Sequence, residues 1–146
     1  MSRCLEVFMT AKISDIEWAV EFASAGFGDH EAYIDKQSGA IFYVGDAVEE
    51  DIPDELFDNS RYIAVPDKRD LGLGKRLAIR FISEHLPTKL DKTYDIFSRS
   101  GAYGRFKELL TSANKLDDWY SYEELALKKA IIEWCNEYSV KFSSDT

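Results

Sequence analysis

Cysteine is nearly missing from this chain. Its two copies, Cys4 and Cys135, lie near opposite ends of the sequence and form no C-x-x-C pair. That excludes the disulfide framework of small secreted domains and points to a reduced, cytoplasmic setting. Histidine is equally scarce: His30 and His85 stand apart from each other and from the cysteines. Metal sites draw on His and Cys ligands clustered at short spacings, so no metal is expected. No apolar run approaches the roughly 20 residues needed to span a bilayer. The opening "MSRCLEVFMTAK" lacks the long apolar stretch and small-residue cleavage site of a secretory signal. No nucleophile–base pair is suggested by spacing, so catalytic residues are unassigned and the reading leans toward a non-enzymatic protein without a cofactor.

Charge of one sign is also in short supply. The net charge of −9 is unevenly spread. Residues 1–66 carry 4 basic and 14 acidic side chains, residues 67–112 carry 10 and 6, and residues 113–146 carry 4 and 7. An acidic chain repels polyphosphate over most of its surface, which argues against general nucleic-acid binding. The basic middle suits a single anionic partner. With 45% hydrophobic and 14% aromatic residues, disorder is excluded. The length suits a single domain over 1–146, with 143–146 expected as a frayed tail.

The pattern predicts an α+β fold: a small antiparallel sheet in the N-terminal half and a helical C-terminal half. "ISDIEWAVEFASAG" reads as a helix, with Ser14 and Glu17 at capping-box spacing and Gly26 as its stop. Ile16, Val20 and Ala23 supply its apolar stripe, broadened by Trp18 and Phe22. "EAYIDKQSGAIFYVG" reads as a hairpin in which Gly39 takes positive φ. An acidic connection follows, with one helical turn expected after Pro53, and "RYIAV" is a third strand closed by Pro66. "LGKRLAIRFISEHL" sets Leu73, Leu77 and Phe81 on one face, extended by Ile82 and Leu86, and Pro87 ends the run. Two shorter helices are expected on either side of Gly101. A last helix starts near "DDWYSYEEL", with Ser121 and Glu124 as a second capping box and Leu127, Ile131, Trp134 or Cys135, and Tyr138 as its stripe.

The loop "RDLGLGKRL" invites a phosphate-binding reading. A P-loop needs a glycine five residues before Gly-Lys and a hydroxyl residue after it, but Arg69 and Arg76 occupy those places. A dinucleotide fingerprint needs a third glycine where Leu77 stands. Arg69, Gly72 and Gly74 do resemble the R-x-x-G-x-G signature of the acetyl-CoA-dependent N-acetyltransferase superfamily. That resemblance implies a pyrophosphate cradled by open backbone amides, and further strands after the helix. Strand patterning is essentially missing between residues 88 and 146, so the preferred reading is that the glycines loosen a helix start where chain and side chains pass closely.

A whole-chain resemblance is stronger. "AYIDKQSGAIFYVGD", "RYIAVPDKRDLGLGKRLAIRFISEHLP", "RSGAYGRFKELL" and "DDWYSYEELALKKAIIEWCNEY" resemble, in that order, a bacterial family known only as one of the numbered uncharacterised protein families. The likeness covers residues 10 to about 140, and G-A-Y/F-x-R-F-K followed by W-Y is its most specific part. It implies a shared fold and assigns no activity, cofactor or catalytic residue. In "GAYGRFKELL", Phe106, Leu109 and Leu110 are core-facing by spacing, with Arg105 and Lys107 solvated. The aromatics of "WYSYEE" can stack on a base or peptide, but more often pack a helix start onto a sheet.

Three functions compete: an interaction or regulatory protein using a basic helical face, an N-acetyltransferase, and a nucleic-acid accessory factor. The first is favoured. If "DKRDLGLGKRLAIR" enters a helix, Arg69, Arg76 and Arg80 fall on one face with Lys68 and Lys75 beside them. This stripe reads first as a solvated face balanced by the chain's own acidic first half, and more sharply as the docking surface for an anionic protein partner or for the acidic segment 46–58 of a second copy. Nucleic acid is the less favoured partner, and none of the readings requires a membrane.

Overall fold

The computed structural model describes residues 10–25, 29–45 and 51–144. The chain groups into two compact units, residues 1–71 with 128–146 and residues 72–127.

The first unit holds β1 (Ala11–Lys12), α1 (Ile13–Ala25), β2 (Glu31–Asp35), β3 (Ile41–Val44), β4 (Tyr62–Ala64) and β5 (Phe142–Ser143). β2 is the central strand of an antiparallel sheet ordered β3-β2-β4, with Tyr33 opposite Phe42 on one side and Ala64 on the other. β1 and β5 form a separate parallel pair, Ala11 with Phe142 and Lys12 with Ser143. The strand at 142–143 therefore runs into the segment expected to fray; residues 145 and 146 lie outside the described residues.

α1 buries Ile13, Ile16, Ala19 and Val20. Trp18, expected to widen that stripe, is instead 65% exposed. It lies two residues from Ile16 and from Val20, and two steps of about 100° carry a side chain to the opposite face. The helix also begins one residue before Ser14, because the chain passes into it directly from β1. Ser14 thus sits inside the first turn rather than ahead of it. Gly26, the expected stop, lies outside the described residues.

The hairpin forms as its sequence predicts. Gly39 has φ +79°, and a Cβ there would stand 2.8 Å from the carbonyl carbon of Thr10. The turn has a second organiser in Asp35. This buried carboxylate accepts from the Gln37 N–H (2.8 Å), the Ser38 hydroxyl (2.7 Å) and two nitrogens of Arg61 (2.8 and 2.7 Å). Between β3 and β4, Pro53 opens a hydrogen-bonded turn that buries Leu56.

The second unit is helical: α2 (Lys75–His85), α3 (Leu90–Phe97), α4 (Ala102–Ser112) and the first part of α5 (Leu116–Glu137), whose residues from Lys128 onward belong to the first unit. Pro87 ends the run of α2 as expected and opens a short 3-10 turn into α3. Gly101 separates α3 from α4 at φ +72°. Leu77, Phe81, Ile82, Ile96, Phe106, Leu110 and Trp119 are buried in this unit. α5 starts at Leu116, beside the expected "DDWYSYEEL", with Asp117 and Asp118 in its first turn, where negative charge complements the helix dipole. Ser121 therefore lies within the helix and does not cap its start. Leu127, Ile131, Trp134 and Cys135 are buried, whereas Tyr138 is 45% exposed. It lies one residue beyond the end of α5, where the helical stripe no longer dictates burial.

The fold is α+β. Among the described residues no helix is long and apolar enough to cross a membrane.

Candidate interaction site

The expected five-residue basic stripe is divided by its glycines. Gly72 has φ +71° and Gly74 has φ −94° with ψ −122°, neither a helical conformation, so α2 begins only at Lys75. Lys68 and Arg69 fall before the helix and within the first unit. There the Lys68 ammonium meets Glu21 at 2.7 Å and its backbone N–H donates to the Ser24 hydroxyl at 2.9 Å. Arg69 is exposed in the turn braced by Asp67 and Asp70. Lys75, Arg76 and Arg80 are exposed on α2. Of these, Arg80 is engaged: its Nε donates to the Tyr122 hydroxyl at 2.7 Å, and that hydroxyl donates to Glu84 at 2.9 Å.

The glycine loop also differs from its preferred reading. A Cβ at Gly72 or Gly74 would meet nothing within 4 Å, so close chain passage is not what requires them. Gly72 is needed for its positive φ, which L-residues adopt only at a cost. The acetyltransferase resemblance implies strands after α2; the described chain continues there with α3, α4 and α5, and only the two-residue β5 follows.

The basic middle of the sequence converges elsewhere, in a groove of about 530 Å³ between α3 and α4. Lys92 and Ile96 share one face of α3, with Lys89 just before the helix and Arg99 just past its end. Arg105, Leu109 and Ser112 share one face of α4. Four cations thus surround a floor that includes Ile96, Leu109 and Ala113, against the two carboxylates of Asp95 and Glu108. Arg99 lies 3.5 Å from Asp95, but both side chains are about two-thirds exposed and such a pair holds little. Lys89, Lys92 and Arg105 make no ion pair among the described residues. A ligand with two or more negative charges and an apolar portion fits this arrangement.

The segments that carry the family resemblance meet behind the groove. Phe106 of "GAYGRFK" is fully buried and packs edge-on against Trp119 of "WYSYEE" at 5.1 Å. Trp119 also meets Phe81 of α2 at 5.4 Å. This aromatic cluster packs helix on helix, where a sheet contact was expected. The Trp119 indole N–H donates to the Tyr103 hydroxyl at 3.1 Å, and Tyr103 donates to Glu123 at 3.0 Å. Burial is the main cause that pushes the Tyr103 phenol up to about 12. Lys107, expected to be solvated, lies with its ammonium 4.9 Å from the centre of the Tyr103 ring.

Sequence reasoning overlooked Lys89, Lys92, Arg99 and Arg105 as a group. The signal was present in the helical spacing of the three cations in "KLDKTYDIFSRSG", but the juxtaposition with Arg105 depends on the reversal at Gly101. No curated protein and no solved structure matches the chain. Residues 5–146 match the sequence model of Uncharacterised protein family (UPF0158), and with nearly the whole chain covered the protein belongs to that family.

Proposed function

We propose that this chain is a non-enzymatic interaction protein whose second unit captures an acidic polypeptide segment. The observation that carries the reading is the α3–α4 groove, where Lys89, Lys92 and Arg105 stand around Ile96 and Leu109 without ion-pair partners among the described residues. Unpaired cations beside an apolar floor favour a partner that brings both carboxylates and a hydrophobic side chain. The exposed Lys75 and Arg76 of α2 extend positive charge over the same unit.

The test uses a labelled synthetic peptide of aspartate and glutamate carrying one phenylalanine, titrated into the full chain across a salt series. Lys92→Glu with Arg105→Glu should weaken binding by at least about tenfold, and binding to the unaltered chain should fall steeply with salt. Arg76→Glu with Arg80→Glu, compared in parallel, measures the contribution of α2. Equal binding by the groove variant overturns the proposal, as does tighter binding of a single-stranded oligonucleotide than of the acidic peptide.

A further inference from the structure

A second groove, of about 540 Å³, lies wholly within the first unit between β4 and the C-terminal part of α5. One wall is formed by Ile63 and Ala64 of the edge strand with Val65 and Pro66 after it, and the other carries Glu133, Trp134, Glu137 and Tyr138. Its chemistry is opposite in sign to that of the α3–α4 groove. Asp70, Glu133 and Glu137 are exposed around it, and among the described residues no lysine or arginine lines it.

The edge itself is open. The Val65 N–H donates to the Ala32 carbonyl at 2.8 Å and the Lys36 N–H to the Arg61 carbonyl at 2.9 Å. Residues 61 and 65 therefore turn their backbone groups toward β2, and alternation directs those of Tyr62 and Ala64 away from it. The Tyr62 N–H is used locally, donating to the Asn59 carbonyl at 3.0 Å. The N–H and C=O of Ala64 and the C=O of Tyr62 face outward, and among the described residues no strand pairs with them. β4 is short and followed by Pro66, which blunts an edge against indiscriminate pairing without closing it.

We propose that this groove is a β-augmentation site that receives an extended segment of a partner protein bearing lysine or arginine at alternate positions. Main-chain hydrogen bonds to Ala64 and Tyr62 supply the pairing. Alternation sets all the cations on one face of the added strand, where they meet Asp70, Glu133 and Glu137 and lay their aliphatic stems beside Ile63, Leu71 and Trp134. The proposal goes beyond the acid-capturing role of the second unit and stands independently of it, because it concerns another face and a ligand of opposite charge.

The probe is a labelled synthetic peptide of alternating lysine and valine, followed by fluorescence polarisation with the full chain. Saturable binding is expected, and N-methylation of alternate backbone amides, which leaves every side chain and charge in place, should abolish it. Ala64→Pro removes an outward donor that the β2 ladder does not use and should weaken binding by at least about tenfold. Glu133→Gln with Glu137→Gln should weaken binding severalfold and flatten its salt dependence. Equal affinity of the N-methylated peptide overturns strand pairing, even if Ala64→Pro proves unstable. Failure of the basic peptide to bind also overturns the proposal, and self-association lost on Ala64→Pro would then assign the edge to a second copy. Neither outcome bears on the acidic-peptide titration.

Discussion

The indole N–H of Trp119 and the phenol oxygen of Tyr103 are joined by a hydrogen bond of 3.1 Å that ties the start of α5 to α4. Trp119 is fully buried, so its donor depends on this acceptor. Tyr103→Phe keeps the ring but leaves a buried N–H without its partner, at a cost of about 1–3 kcal/mol. Chemical denaturation should show the loss as a lower midpoint at an unchanged slope.

Asp35 sets the acid limit of the first unit. Hydrogen bonding from Arg61, followed by the Ser38 and Gln37 donors, holds its carboxyl well below the usual carboxylate range. A depressed folded-state pKa stabilises the protein above the unfolded value of about 3.9 and loses that contribution as pH falls through the folded one. Unaltered protein should therefore lose stability below about pH 4. Asp35→Asn should be less stable at neutral pH by about 2 kcal/mol and show a shallower acid dependence. Parallel acid-dependent slopes for the two proteins would contradict this.

Two glycine replacements should act in opposite directions. Gly39→Ala forces a Cβ against the backbone of Thr10 and Ala11 at a φ of +79°, and should cost at least about 2 kcal/mol. Gly104 lies within α4 and has nothing within 4 Å of a Cβ position. Gly104→Ala should stabilise by about 0.5–1 kcal/mol through helix propensity. Thermal melts of the two variants should bracket that of the unaltered chain.

Cys135 should be chemically silent in the native state. It is fully buried, and desolvation pushes its thiol up to about 11. A raised acid pKa leaves stability intact below the unfolded value of about 8.5 and erodes it as pH rises toward the folded one. In a Cys4→Ser background, a thiol reagent at pH 8 should label Cys135 only at the rate of unfolding. Rapid labelling of the folded protein would show that the thiol is accessible.

The α+β division, the Gly39 hairpin and the stripes of α2 and α4 were legible because each rests on local periodicity or on one residue with unusual backbone freedom. Trp18 departs from its expected burial because its angular position is opposite Ile16 and Val20, which outweighs its aromatic character. The basic stripe failed at Gly72 and Gly74, whose dihedrals delay the helix to Lys75 and leave Lys68 and Arg69 outside it. Neither groove could be read from the sequence. The first needs α3 and α4 to reverse around Gly101, and the second joins residues 63–71 to residues 130–138. Such encounters follow from tertiary packing, on which local periodicity is silent. The buried role of Asp35 was hidden for the same reason, since its partner Arg61 is 26 residues away.

The parallel pairing of Lys12 with Ser143 has a consequence for the order in which the protein is made. On the ribosome, β1 is synthesised about 130 residues before its neighbour in the ladder. The unit formed by residues 72–127 is continuous, so the contacts within it are all available once Leu127 has cleared the exit tunnel. The helical unit can therefore mature during translation. The two-residue ladder must close a loop of about 130 residues, a long-range step whose entropic cost sets it behind the local helical contacts. The first unit thus closes its ladder only after residues 72–127 have been made.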